Sequence, residues 1–176
     1  GDVYKRQGKE SIALNLKNED DKKIFDKNKE AHQAINTPLM KFNQYNFTSN
    51  EMITPLHQEM VEGFMSLGRK YFSDVEARIL PNIGGFEEFR IKKYVEGGDF
   101  KEHIDVMNYA SSRRIVGFLL YLNDCDGITT FANHDITIEP KTGRVLVFPP
   151  TWEYPHAGHK SSTDKYIMST YLHLAD

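Results

Sequence analysis

In the stretch "FKEHIDV" (residues 100–106), His103 and Asp105 stand two positions apart between Phe100 and Val106. On a strand both side chains leave the same face, because strand side chains alternate with period two. An imidazole and a carboxylate on a buried face are costly unless they are paired or put to use. One use is a hydrogen-bonded His–Asp pair at a strand end. The other is a pair of metal ligands, for which a third ligand stands downstream: His156 in "WEYPHAGH" follows the strand-like "RVLVFPP" (144–150) and a Pro-bearing turn. Two histidines and one carboxylate on a single octahedral face hold Fe(II) and leave its other positions open. The H-x-D spacing alone leaves both readings standing. His32, His57, His134, His159 and His173 have no evident partner in the sequence and are read as surface or packing residues.

A second cluster follows. Lys165 lies nine residues beyond His156 and opens the apolar run "KYIMSTYLHL" (165–174). A lysine at the head of an inward-facing strand calls for a carboxylate, or else it is a solvated strand end. Ser169, four positions on, shares its face and can donate a hydrogen bond to the same anion. Tyr94 and Tyr121 lie in other strand-like runs, where they offer phenolic donors or plain core packing.

These side chains need strands to carry them. The runs "EFRIKKYV" (88–95), "RIVGFLLYLND" (114–124), "DITIEP" (135–140), "RVLVFPP" and "KYIMSTYLHL" are β-branched, aromatic and bounded by turn residues. "VEGGD" (95–99), "NDCDG" (123–127) and "PKTG" (140–143) are the turns. Before them, Thr54-Pro55 is an N-cap and first-turn pair, and Leu56, Met60, Phe64, Leu67 and Tyr71 recur at helical spacing. The pattern predicts a helix near 54–73 and a barrel of seven or eight antiparallel strands from about 76. Residues 37–176 are expected to be a single domain, and the charge-dense residues 1–36 a partly disordered segment whose Ile12, Leu14, Leu16, Ile24 and Phe25 could tack it to the core.

The chain has 176 residues and a net charge of −3, which argues against nucleic-acid binding. A single cysteine, Cys125, excludes an intramolecular disulfide framework. The apolar run "IVGFLLYL" (115–122) is too short to span a membrane, and "GDVYKRQGKE" lacks a signal-peptide core, so a cytoplasmic location is expected.

Taken together, "YVEGGDFKEHIDV", "RRIVGFLLYLND", "GITTF", "ITIEPKTGRVLVFPP", "YPHAGH" and "KYIMSTYLH" resemble, in order and spacing, the prolyl 4-hydroxylase-like branch of the Fe(II)/2-oxoglutarate-dependent dioxygenases. The resemblance covers roughly residues 90–174. It implies a mainly β fold with supporting helices, a double-stranded β-helix (jelly-roll, cupin-like) barrel. It implies Fe(II), 2-oxoglutarate as cosubstrate and O2. Residue by residue it makes His103, Asp105 and His156 the iron ligands and Lys165 the partner of the distal carboxylate of 2-oxoglutarate. Tyr94 and Tyr121 would line the cosubstrate pocket, with Ser169 assisting Lys165. Arg114 matches a recurring arginine of structural or substrate-side role, and Trp152 stands near the substrate mouth.

The implied reaction is hydroxylation of a peptidyl, prolyl-type substrate with release of succinate and CO2. A free amino acid or small metabolite is the alternative substrate. A non-catalytic metal- or ligand-binding barrel, acting as a structural or accessory module, is the alternative role. The sequence says nothing of oligomeric state. One departure is "DGITTF" (126–131), where the family often carries two glycines and an acidic residue; Asp126 and Ile128 replace the first glycine and the acid. The Gly-rich "PNIGGFEEF" (81–89) and "VEGGD" are candidate lids.

Overall fold

A computed structural model describes residues 23, 25–51, 54–95 and 97–176. Ile12, Leu14, Leu16 and Ile24 of the charged N-terminal segment lie outside the described residues. Phe25 lies within them and is buried, its ring edge-on to Tyr45 and Tyr166.

In chain order the elements are β1 (Gln33–Asn36), β2 (Lys41–Asn46), α1 (Phe47–Glu51), α2 (Pro55–Asp74), β3 (Ile83–Phe86), β4 (Arg90–Tyr94), β5 (Phe100–His103), β6 (Arg114–Tyr121), β7 (Thr129–Phe131), β8 (Ile136–Ile138), β9 (Val145–Phe148), β10 (His156–Gly158) and β11 (Lys165–Leu174). The strands form two antiparallel sheets. The larger runs β1-β2-β4-β11-β6-β9, with β3 also paired to β11; the smaller runs β5-β10-β7-β8. The mainly β architecture with supporting helices is the one the sequence implies. The strands it did not reveal are short or polar: "QAIN" and "KFNQYN" extend the large sheet, while β5, β7 and β10 have three or four residues each.

α2 begins as its cap residues dictate. The Thr54 hydroxyl accepts from the His57 amide at 3.2 Å, and Pro55 occupies the first turn, where a missing N–H costs nothing. Its Met60 and Phe64 are fully buried against Phe89, Ile91, Phe118, Leu120, Met168 and Leu172 of the large sheet. Burying a side chain of this size stabilises by about 1.5–3 kcal/mol, so this face anchors the sheet.

The large sheet therefore has two unlike faces. Along β11, Tyr166, Met168 and Leu172 join the helix-side cluster, while Lys165, Ile167, Ser169 and Tyr171 line a cavity between the two sheets. The segment 81–89, read from its glycines as a lid, contains a paired strand. Gly84 stands where a Cβ would come within 2.9 Å of the Leu174 carbonyl oxygen and the Ala175 backbone. Close backbone approach explains that glycine, and hinge motion is not needed.

Candidate metal centre

His103 ends β5 and His156 begins β10, and the two are direct partners in the antiparallel register. Their ring centroids are 4.3 Å apart. Asp105 does not continue the strand, as period-two alternation predicts. β5 stops at His103, and the amides of Asp105 and Val106 donate instead to the Pro150 carbonyl at 3.2 and 3.0 Å. That link ties the Asp105 turn to the loop leading into His156. One ligand atom from each of His103, Asp105 and His156 falls within 4.8 Å of the other two, so the three could hold a metal ion.

The hydrogen bonds around the triad fix the orientation of both rings. Nδ1 of His103 lies 2.7 Å from the Lys101 carbonyl oxygen, and Nδ1 of His156 lies 3.1 Å from that of Tyr154. A carbonyl only accepts, so each Nδ1 carries a proton and each ring turns its Nε2 inward, toward Asp105. Those Nε2 atoms stand 3.6 and 3.5 Å from the two Asp105 oxygens, beyond hydrogen-bond length. Oδ2 of Asp105 is buried with no hydrogen-bond partner among the described residues. The two Nε2 atoms and the Asp105 carboxylate thus converge on one point, a donor set that a cation can complete.

Burial works against ionisation of Asp105, but the neighbouring His103 and His156 and the Tyr171 hydroxyl outweigh it and hold the carboxyl below its ordinary range. Burial lowers the His156 pKa, which keeps that imidazole neutral and able to ligate. The ring of Phe100 stacks on His103 at 3.5 Å between centroids, and Phe131 and Phe148 flank His156 at 5.4 and 4.9 Å. These contacts limit the rotamers of both histidines.

The cavity continues from the triad to Lys165, which is 2% exposed. Its ammonium donates to the Gly127 carbonyl at 2.6 Å and lies over the rings of Tyr94 and Tyr121, but it has no ion pair among the described residues. Burial pushes its pKa down to about 8. Such an ammonium fits an anion entering the cavity. Tyr94 and Ser169 line the same cavity. Tyr121 touches Lys165 through its ring, while its hydroxyl donates to Thr129 at 2.7 Å. Burial raises the pKa of both tyrosines, so their phenols stay protonated.

The "DGITTF" departure has a structural reason. Asp126 accepts from the Ser161 hydroxyl at 2.7 Å and the Ser162 amide at 2.8 Å, bracing the two loops that close over Lys165. These bonds hold its carboxyl down to about 2. At the adjoining Gly127, a Cβ would meet Ser161 Cβ at 2.8 Å and Lys165 Cδ at 3.3 Å. The glycine here is required by space.

Arg114 reaches the site from the side. It donates to the Asp105 carbonyl at 2.9 Å, pairs with Glu87 at 2.8 Å and lies 4.0 Å above the Tyr171 ring. Trp152, Met107 and Tyr109 are exposed on the loops that flank Asp105 and His156. The other histidines do have contacts. His159 meets Thr130 at 2.8 Å, His134 the Glu153 carbonyl at 2.9 Å and His32 the Phe25 carbonyl at 2.7 Å, whereas His57 stacks on Phe47 and His173 lies 3.9 Å from Glu87. Two titratable cavity residues are absent from the sequence-based expectation: Lys92 and Tyr171. Period two could have found them, since they lie two positions from Tyr94 and Ser169 respectively.

Comparison with known proteins places this geometry in context. Residues 89–173 match the family model of the 2OG-Fe(II) oxygenase superfamily. Curated protein sequences give no match. Solved structures with the same double-stranded β-helix fold include a prolyl-4-hydroxylase from Pseudomonas putida, 15% identical with a TM-score of 0.72 over 93% of this chain and 88% of that one. A prolyl hydroxylase from Trichoplax adhaerens, in complex with a hypoxia inducible factor oxygen degradation domain peptide fragment, is 16% identical with a TM-score of 0.66 over 93% and 77%. The viral collagen prolyl hydroxylase of Paramecium Bursaria Chlorella virus-1, in its 2OG complex, is 18% identical with a TM-score of 0.64 over 91% and 92%.

Proposed function

We propose that this chain, whose residues 89–173 match the family model of the 2OG-Fe(II) oxygenase superfamily, hydroxylates a peptidyl, prolyl-type substrate with release of succinate and CO2. The observation that carries the proposal is the placement of the convergent His103–Asp105–His156 triad and of Lys165, which has no ion pair among the described residues, in one cavity.

In this reading His103, Asp105 and His156 hold Fe(II) through two Nε2 atoms and a carboxylate oxygen. When bound, the metal with 2-oxoglutarate and O2 supplies the oxidising power. The chain supplies position. Lys165 takes the distal carboxylate of 2-oxoglutarate, with Tyr94 and Ser169 beside it, and Tyr121 supports the ammonium from the ring side. The Lys101 and Tyr154 carbonyls keep the protons of His103 and His156 on Nδ1. Phe100, Phe131 and Phe148 wall the triad and exclude water from it. Arg114 holds the backbone of Asp105 and so orients its carboxylate.

The peptide reading is supported by the prolyl hydroxylase neighbours, one of them in complex with a peptide fragment. It is supported also by the exposed Trp152, Met107 and Tyr109, which offer apolar contacts to an extended chain beside the site. The test is mass spectrometry on a panel of proline-containing peptides and free amino acids, with succinate measured in parallel. A peptide product heavier by one oxygen atom, with matching succinate, is expected. Oxygen added only to a free amino acid would replace the peptide reading with the small-molecule one. Absence of both oxygenated product and succinate would leave a binding barrel.

A further inference from the structure

We infer that Lys92 is a second cationic contact in the cosubstrate cavity, one that faces the metal-proximal carboxylate of a 2-oxo dicarboxylic acid while Lys165 faces the distal one. The inference rests on the metal and cosubstrate reading given above and deepens it.

Lys92 lies on β4, where alternation turns it to the same face as Tyr94. In the register of β4 with β11, Tyr94 is opposite Lys165 and Lys92 is opposite Ile167. Lys92 therefore stands one same-face step, roughly 7 Å, from the level of Lys165. The step is toward Tyr171 and the triad: Lys92 interacts electrostatically with Asp105 and His156, and neither of these is among the groups that act on Lys165. Both lysines line the cavity that holds the triad. The chain thus presents two ammonium groups in sequence, one near the metal ligands and one at the far end.

The Lys92 ammonium lies over the rings of Phe42 and Phe100, at 5.2 and 5.8 Å from their centroids, contacts that favour its charge but give its N–H groups no acceptor oxygen. Lys92 makes no ion pair or hydrogen bond among the described residues. Asp105 and Glu87 favour its charge, whereas Arg90 and Arg114 oppose it. Once a metal ion takes up Asp105, the attraction from that carboxylate is largely cancelled. An anion arriving with the metal is then the natural partner for Lys92, and the carboxylate next to a metal-chelating keto group is such an anion.

Equilibrium binding to the Fe(II)-loaded protein under anaerobic conditions tests this with two probes. 2-Oxoglutarate has both carboxylates; 2-oxopentanoate keeps the keto acid end and lacks the distal one. Lys92→Met and Lys92→Gln should each weaken both probes by a similar factor, roughly tenfold, the scale of a lost charge-assisted hydrogen bond. Lys165→Met should weaken 2-oxoglutarate and leave 2-oxopentanoate unchanged. Thermal melts of the variants report folding separately. Unchanged affinity of both probes in folded Lys92 variants would overturn the inference, as would a loss confined to 2-oxoglutarate. Failure of the wild-type protein to bind either probe would overturn the cosubstrate reading itself and, with it, this assignment.

Discussion

β11 separates two regions that obey opposite rules. On its helix side, Tyr166, Met168 and Leu172 pack with Phe118, Leu120 and the Met60 and Phe64 side chains of α2. The aromatic rings there meet at angles, Phe64 with Phe89 at 5.3 Å and with Phe118 at 5.5 Å. On its cavity side, the same strand presents Lys165, Ser169 and Tyr171, facing Lys92, Tyr94 and the triad. The first face stabilises the fold by removing apolar surface from water. The second carries ammonium groups whose pKa burial has pushed down to about 8, a sign that the charges are held at a cost. Alternate residues of one strand thus divide between holding the sheet and holding a ligand.

The division can be broken or sharpened by substitution. The largest effect on stability should come from Phe64→Ala, which opens a cavity beneath the sheet and should cost about 3–5 kcal/mol in denaturant unfolding. The folded fraction should keep its 2-oxoglutarate affinity. Lys165→Met should do the reverse. It should lose about 1.5–3 kcal/mol of 2-oxoglutarate affinity by calorimetry while the melting temperature stays level or rises, because a buried charge has been removed. Equal destabilisation by the two variants would erase the distinction between the faces.

A pH series sharpens it further. Below about 8 Lys165 is protonated in the empty site. The carboxylates of 2-oxoglutarate are ionised throughout, so attraction is full there and is lost as the ammonium deprotonates. Affinity should fall roughly tenfold per pH unit above that point, and the slope should be shallower in Lys165→Met. The smallest effect belongs to Tyr121→Phe. It removes the hydrogen bond to Thr129 and leaves the ring under Lys165, so a loss of about 0.5–1.5 kcal/mol in stability is expected with little change in affinity.

How legible each feature was in the sequence follows from length and period. β6, β11 and α2 are long and strongly patterned, so composition and spacing reveal them. β5, β7 and β10 are too short for periodicity to register, and β1, at the sheet edge, and β2 beside it are polar enough to read as loop. The convergence of His103, Asp105 and His156 is legible because an H-x-D, a later histidine and a lysine nine residues beyond it are jointly far more specific than any one of them. The way Asp105 reaches them is not, since its backbone bonds to Pro150 across 45 positions of sequence. Lys92 shares the face of Tyr94 by period two, and the pairing of β4 with both β2 and β11 shows that the strand carrying them lies inside the sheet. In 81–89 the two glycines have different reasons that the sequence does not separate: Gly84 packs against the backbone of Leu174 and Ala175, whereas Gly85 has a positive φ of 137°.

The central claim is that the triad holds Fe(II) beside a bound 2-oxo acid. Anaerobic addition of Fe(II) and 2-oxoglutarate, followed by visible absorption, tests it most directly. The account predicts a weak charge-transfer band in the wild-type protein and none in Asp105→Ala or His103→Ala with the fold intact. No band in the wild-type protein, or an equal band in the folded variants, would contradict it.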